Sequence, residues 1–179
     1  MEHRTAKVNI SSAGGTAAKG SKTCKITLPS KWVETMGINE DQREMEMAFD
    51  GETVTLFRHI SGPEFAQRQL ARGHDICILR LYDGNTLCST IYVDFTEKTV
   101  AAENQAVPCI KTAFGTQSFP TWEDFQNFLA ERCIPRQRAG LREYLEALGL
   151  DEYDPFAIIE KTGGRMAEDQ QWLTIEVLK

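Results

Sequence analysis

The sequence predicts an α+β protein built from short antiparallel strands and short helices. Alternating polar and apolar residues flank two turn-forming pairs, Asp50-Gly51 and Asp83-Gly84, and this pattern is typical of β-hairpins. In three later segments, apolar residues at helical spacing follow a proline or a threonine, as they do in amphipathic helices. Because strands and helices occur in both halves of the chain, we expect two domains, at residues 1–60 and 75–179.

The first domain reads as a strand, a second strand, a short helix and a hairpin. Residues 5–10 and 25–28 alternate as half-buried strands do, and a Gly-rich stretch between them predicts a loop. Pro29 suits the opening of a helix with a short apolar face, and Gly37 suits its end. An acidic segment then leads into the first hairpin.

This order of elements resembles the AbrB/MazE/SpoVT family of swapped-hairpin DNA-binding domains, over residues 5–59. The family pattern is a strand ending in thr-(ile/leu)-pro, a short helix, leu-gly-ile, an acidic loop and a hairpin. The matching residues are Ile26, Thr27, Leu28, Pro29, Gly37 and Ile38. The chain departs from the family before that strand, where ser-lys-gly-gln is replaced by SKTCK after a Gly-rich insertion, so the loop that would meet DNA is longer than usual.

The resemblance implies that residues 1–60 form a swapped-hairpin half-barrel in which two chains interlock. It therefore implies a homodimer that binds double-stranded DNA and acts as a transcription regulator. Several family members are antitoxins whose C-terminal part holds a toxin. The remainder of the chain is then expected to bind a protein partner or an effector.

Basic charge is concentrated in the segment that the resemblance assigns to DNA. Residues 1–38 carry six lysines and arginines against two acids, residues 39–60 carry six acids against two arginines, and the rest has a balance of −6. Clustered cations attract phosphate even when the net charge is −6, because the local field governs contact. The predicted DNA-binding residues are Arg4, Lys7, Lys19, Lys22, Lys25 and Lys31. The Gly-rich loop is either a surface connection or a flexible basic arm.

The second part of the chain predicts a sheet covered by helices. A short linker helix is expected within residues 61–74, and residues 75–104 predict an antiparallel meander of three strands. Helices are expected after Thr121, from Pro135 and after Asp154, and the terminal WLTIEVLK predicts a closing strand. A sheet with an apolar face needs a cover, which these helices can supply.

A cluster of arginines falls across the first two of these helices: Arg132, Arg136, Arg138 and Arg142. It has two interpretations, a solvated basic face or a small patch that binds phosphate or an acidic partner. The pair Glu168-Asp169 is expected in a solvated turn. The segments WEDF, FLAERCIPR and YDPFAIIEKTGGRMAED resemble a C-terminal region that accompanies this N-terminal type in Firmicutes and mobile-element proteins.

No pattern in the sequence predicts catalysis, a metal site or a cofactor. The five cysteines are scattered without a CxxC pair, and the three histidines lack metal-ligand spacing. His59 and His74 are expected on the surface, whereas Cys77 and Cys88 are expected as small buried residues. No apolar run reaches the length of a membrane span, and no secretion signal is visible, so we expect a cytoplasmic protein that is not an enzyme.

Two functions therefore compete. The first is the AbrB-type DNA-binding regulator or antitoxin-like protein. The alternative is an anti-CRISPR inhibitor from a phage or mobile element that binds a Cas9-type nuclease, DNA or both, because a compact acidic protein can occupy a positively charged nucleic-acid channel.

Overall fold

The computed structural model describes residues 2–13, 18, 20–58 and 60–179. These residues form the predicted mixture of antiparallel sheets and α-helices, five helices in all within the described ranges. The chain divides into two compact units. The N-terminal unit is Met1–His59 and the C-terminal unit is Ile60–Lys179.

The N-terminal unit consists of two hairpins and one short helix. Its elements are β1 (Asn9–Ser12), β2 (Lys22–Lys25), α1 (Ser30–Thr35), β3 (Met45–Phe49) and β4 (Val54–Arg58). Strand β1 pairs antiparallel with β2, and β3 pairs antiparallel with β4.

The first hairpin lies closer to its loop than the alternation of residues 5–10 and 25–28 predicts. Its ladder runs from the Asn9–Lys25 pair to the Ser12–Lys22 pair. A further backbone hydrogen bond from Ala13 to Ser21 extends it toward the loop. The two strands therefore pair through the residues closest to the loop that joins them. The alternation of polar and apolar residues alone does not fix which residues of the two strands pair.

The C-terminal unit is built on one four-stranded antiparallel sheet. Its strands are β5 (Ile76–Asp83), β6 (Thr86–Asp94), β7 (Thr99–Asn104) and β8 (Gln171–Leu178), in the order β7-β6-β5-β8. Strands β5 to β7 are the predicted meander. The predicted closing strand is β8, which pairs with β5 so that Ile175 lies opposite Leu79.

Helices cover both faces of this sheet. They are α2 (Gly62–Leu70), α3 (Trp122–Glu131), α4 (Leu141–Leu148) and α5 (Pro155–Thr162). Phe65 and Ala66 of α2 pack on one face against Ile76, Ile78 and Tyr92. The other three helices bury the opposite face, so α2, predicted as part of a linker, belongs to the core of the C-terminal unit.

Local residues explain where the helices begin. The Thr121 hydroxyl accepts a hydrogen bond from the Asp124 N–H, while the Asp124 carboxylate accepts one from the Thr121 N–H, so α3 opens with a capping box. Helix α4 begins at Leu141 and not at Pro135 as predicted. Gly140 adopts a φ of 79°, in the left-handed region, and a right-handed helix cannot pass through that residue.

Candidate nucleic-acid interface

Three of the predicted DNA-binding lysines lie on or beside the first hairpin. Lys22 and Lys25 occupy the two ends of β2, and Lys7 lies two residues before β1. All three side chains are exposed, and none forms an ion pair with any residue in the described ranges. They can therefore bind phosphate groups without first breaking an ion pair with a carboxylate. Lys19, predicted with them, lies outside the described residues.

Arg4 and Lys31 are engaged by the start of the chain and by α1. The Trp32 indole N–H donates to a Glu2 carboxylate oxygen at 2.7 Å, and the Lys31 Nζ lies 3.7 Å from the other oxygen. The Arg4 guanidinium lies over the Trp32 ring, 5.8 Å from its centroid. Both cations remain exposed, but Glu2 offsets part of their charge locally.

The second hairpin presents bare apolar residues near its turn. Met47, Phe49 and Val54 share one face, and their side chains are 70%, 69% and 60% exposed. The first hairpin adds Ile10, which is 62% exposed. No described residue of the N-terminal unit is buried. Exposed apolar side chains grouped on one face, as Met47, Phe49 and Val54 are, are characteristic of a protein interface.

The turn of the second hairpin is held by Asp50. Its carboxylate accepts hydrogen bonds from the Thr53 and Glu52 N–H groups, at 2.8 and 2.9 Å. The Thr53 N–H, followed by that of Glu52, lowers the pKa of Asp50 to about 2. The turn that presents the apolar residues is therefore locally well defined.

The predicted arginine patch is not a single surface, because Arg132 is buried. Its side chain is 8% exposed, and its guanidinium donates to the backbone oxygens of Gly164 and Gln171 and to the Asp169 carboxylate. The hydrogen bond from Arg132 holds the pKa of Asp169 below its ordinary value. Arg132 is thus a structural residue. Glu168 and Asp169 are exposed and lie in a bend, as predicted, and Asp169 also forms an ion pair with Arg132.

The other three arginines remain exposed. The guanidinium of Arg136 lies over the Tyr153 ring, 4.7 Å from its centroid, and Arg142 pairs with Glu146 at 2.9 Å. Arg138 follows Arg136 in the turn before α4. Because Arg142 already has a carboxylate partner, only Arg136 and Arg138 are available for an acidic ligand.

His74 forms a buried contact that the sequence does not reveal. It was expected on the surface, yet its Nδ1 lies 2.7 Å from Oδ2 of Asp94, which is fully buried. The N–H groups of Thr96 and Glu97 also donate to Asp94. This carboxylate fixes the β6–β7 turn against the start of β5. His59 lies outside the described residues.

All five cysteines are free thiols. Cys77 and Cys88 are buried, as predicted. Burial raises the pKa of Cys77 and of Cys133 to about 11, so both thiols are protonated at neutral pH. Within the described ranges, no three His, Cys, Asp or Glu side chains are grouped to hold a metal ion.

Comparison of the chain with protein-family models, curated proteins and solved structures gives no match. Among the described residues, no helix is both long enough and apolar enough to span a membrane.

Proposed function

We propose that this chain is a non-enzymatic DNA-binding protein that acts as a homodimer through its N-terminal unit. In this proposal the N-terminal unit has an AbrB-like swapped-hairpin arrangement and contacts the phosphates of duplex DNA. The C-terminal unit serves as a partner-binding or effector module. Regulation of transcription, in the manner of a repressor or an antitoxin, follows from such an arrangement.

The observation that supports the proposed homodimer is the exposure of apolar side chains on the two hairpins. Met47, Phe49, Val54 and Ile10 are all at least 60% exposed. Full burial of a side chain of this size contributes about 1.5–3 kcal/mol, so a unit that leaves several of them in water gains substantially from a partner. A second copy of the same hairpins supplies a complementary apolar surface, as isologous interfaces do.

Charge placement supports contact with nucleic acid. Lys7, Lys22 and Lys25 are exposed and without ion pairs to the described residues, on an otherwise acidic chain. Lysines at such positions bind phosphate without reading bases, so affinity should depend strongly on salt and weakly on sequence. In a homodimer these cations occur twice, which doubles the number of phosphate contacts.

The acidic C-terminal unit favours a second candidate, inhibition of a Cas9-type nuclease. Residues 61–179 carry a balance of −6, and a basic channel would attract them. A cleavage assay with purified protein separates the two functions. If a variant without the DNA-contacting lysines still inhibits cleavage, the result favours the nuclease inhibitor. If the unmodified protein does not affect cleavage, and the variant no longer binds duplex DNA, the result favours the DNA-binding protein.

Binding of the full chain to a labelled duplex at low salt tests the proposal. We expect measurable affinity for unrelated sequences and a steep loss of affinity as salt rises. No detectable binding at about 50 mM salt would remove the DNA-binding function and leave the partner-binding candidates.

A further inference from the structure

The C-terminal sheet has two outer strands, and their free edges differ. On β8, the Leu173 N–H donates to the Gly163 oxygen at 2.7 Å, and the Gln171 oxygen accepts from Arg132 at 3.0 Å. The first half of that edge is therefore occupied by the turn after α5. The other outer strand, β7, has no such cover among the described residues.

The direction of the backbone groups on β7 follows from its pairing with β6. The Gln105 N–H donates to the Cys88 oxygen at 2.9 Å, which continues the β6–β7 ladder one step beyond the strand. Because alternate residues of an antiparallel strand face alternate sides, Val100, Ala102 and Asn104 direct their N–H and C=O groups away from β6. Within the described ranges these groups form no hydrogen bond.

This edge also lacks the features that normally prevent strands from associating. Strand β7, TVAAEN, contains no proline or lysine, and its register with β6 is continuous, without a bulge. Its one charged side chain, Glu103, is turned toward α2, where Oε1 accepts the Gly62 N–H at 2.7 Å. The other side chains of the strand are uncharged.

We propose that the β7 strands of two chains pair with each other, antiparallel about a twofold axis at Ala102, and join their sheets into one. This register exchanges two hydrogen bonds at each of three facing pairs, Val100 with Asn104, Ala102 with itself, and Asn104 with Val100. It also places Glu103 opposite Ala101 of the other chain. A twofold axis at Glu103 would instead place two carboxylates opposite each other, which is unfavourable.

The β8 edge fits a second copy less well. Among the described residues, the outward backbone groups of Ile175 and Val177 form no hydrogen bond. A twofold pairing through these two residues places Glu176 opposite Glu176 of the other chain, which is unfavourable. A second copy therefore fits β7 better than it fits β8.

The inference rests on the homodimer proposed above. Two strands of this length bury less surface than the ~1,200 Å² that independent complexes need. When the N-terminal units already hold two chains together, β7 pairing becomes an intramolecular event at high effective concentration. The N-terminal contact thus promotes the pairing of the C-terminal units.

Engineered disulfides in the full chain test this register. In the proposed pair Thr99 faces Gln105 of the other chain at a non-hydrogen-bonded position, where Cα atoms lie about 4.5 Å apart and a disulfide can form. Within one chain the two positions are separated by about 20 Å of strand, so no internal bond can form. The test protein is the Thr99→Cys, Gln105→Cys double variant, in a background with the exposed Cys24 and Cys109 changed to Ser.

We expect the double variant to form a reducible dimer in at least tenfold higher yield than either single variant, unchanged over a tenfold dilution. The backbone amides of Val100 and Ala102 should also exchange hydrogen slowly in the background that carries only the Cys24→Ser and Cys109→Ser changes. A protein that sediments as a dimer yet gives equal yields for double and single variants, or rapid exchange at these amides, overturns β7 pairing and leaves the homodimer intact. A monomer by sedimentation with no cross-link overturns both.

Discussion

The Nη1 atom of Arg132, at the end of α3, lies 2.5 Å from Oδ2 of Asp169, 37 residues further along the chain. The same guanidinium donates to the Gly164 oxygen at 2.8 Å. One buried side chain therefore joins α3, the turn after α5 and the start of β8. It connects the helical layer of the C-terminal unit to the edge of its sheet.

Replacing Arg132 with Ala should destabilise the C-terminal unit by about 3 kcal/mol, because the change removes the guanidinium that donates to the Gly164 and Gln171 oxygens and leaves Asp169 with only the Gln171 N–H as a donor. Urea unfolding of the full chain measures the change. Arg142→Ala is the matched control, since its ion pair with Glu146 is exposed and contributes about 0.3–0.5 kcal/mol. Equal midpoints for the two variants would show that Arg132 does not hold these elements together.

Acid should weaken the C-terminal unit through two carboxylates. The hydrogen bond from Arg132 keeps the pKa of Asp169 below its ordinary value of 3.8. Burial alone would raise the pKa of Asp94, but hydrogen bonds from His74, Glu97 and Thr96 outweigh it, so this pKa is lowered as well. A depressed carboxyl pKa contributes stability above the unfolded value of about 3.9, and that contribution is lost as pH falls through the folded value.

Unfolding free energies measured across this range should accordingly be flat above about pH 5 and fall as pH decreases below about 4. In the Asp169→Asn variant the free energy at neutral pH should be lower and its decrease on acidification smaller. An identical pH dependence in the variant would exclude Asp169 as a source of the acid sensitivity.

Local patterns predicted the elements whose determinants are local. The Thr121 cap, the β3–β4 hairpin around Asp50 and the helix that starts after Asp154 depend on neighbouring residues, and each is present where expected. The role of Arg132 could not be predicted, because its partner Asp169 becomes adjacent only when β8 joins the sheet. In the sequence, Arg132 lies among other arginines, and the same pattern is expected for an exposed basic patch. The sequence therefore does not distinguish a buried structural arginine from a surface arginine.

The same limit applies to the candidate interface. Charge counting identified Lys22 and Lys25, and both are exposed. It did not indicate that Glu2 would approach Lys31, since a contact across the start of the chain depends on Trp32 holding Glu2 in place. The open edge of β7 was equally invisible, because strand order follows from where β8 pairs.

Gly62 should be intolerant of any side chain. A Cβ atom at this position would lie 2.0 Å from the Tyr92 ring, so Gly62→Ala must displace α2 or the ring. Overpacking of this kind typically costs about 1–3 kcal/mol. Thermal or urea unfolding should show that loss, whereas Gln67→Ala, an exposed change on the same helix, should have little effect. A Gly62→Ala protein as stable as the control would mean that α2 does not approach the sheet so closely.

The apolar hairpin face should control dimerisation. Phe49→Ser removes one large apolar side chain per chain, twice in a symmetric dimer, and should raise the dimer dissociation constant by at least tenfold. Sedimentation at several concentrations measures it. Ile110→Ser is the control, because Ile110 is 88% exposed but belongs to the C-terminal unit. If both variants dissociate alike, or if neither differs from the unmodified chain, the hairpin face is not the dimer contact.

The salt dependence of duplex binding tests the proposed function most directly. The unmodified chain is compared with a Lys19→Ala, Lys22→Ala, Lys25→Ala variant and with a Lys98→Ala, Lys161→Ala, Lys179→Ala variant, which loses the same charge from exposed sites in the C-terminal unit. We expect the first variant to flatten the slope of log K against log salt by about two to three units for each half of the dimer that contacts DNA, and the second to leave it unchanged. Equal slopes for the two variants, or no binding by the unmodified chain at about 50 mM salt, would contradict the proposed DNA contact.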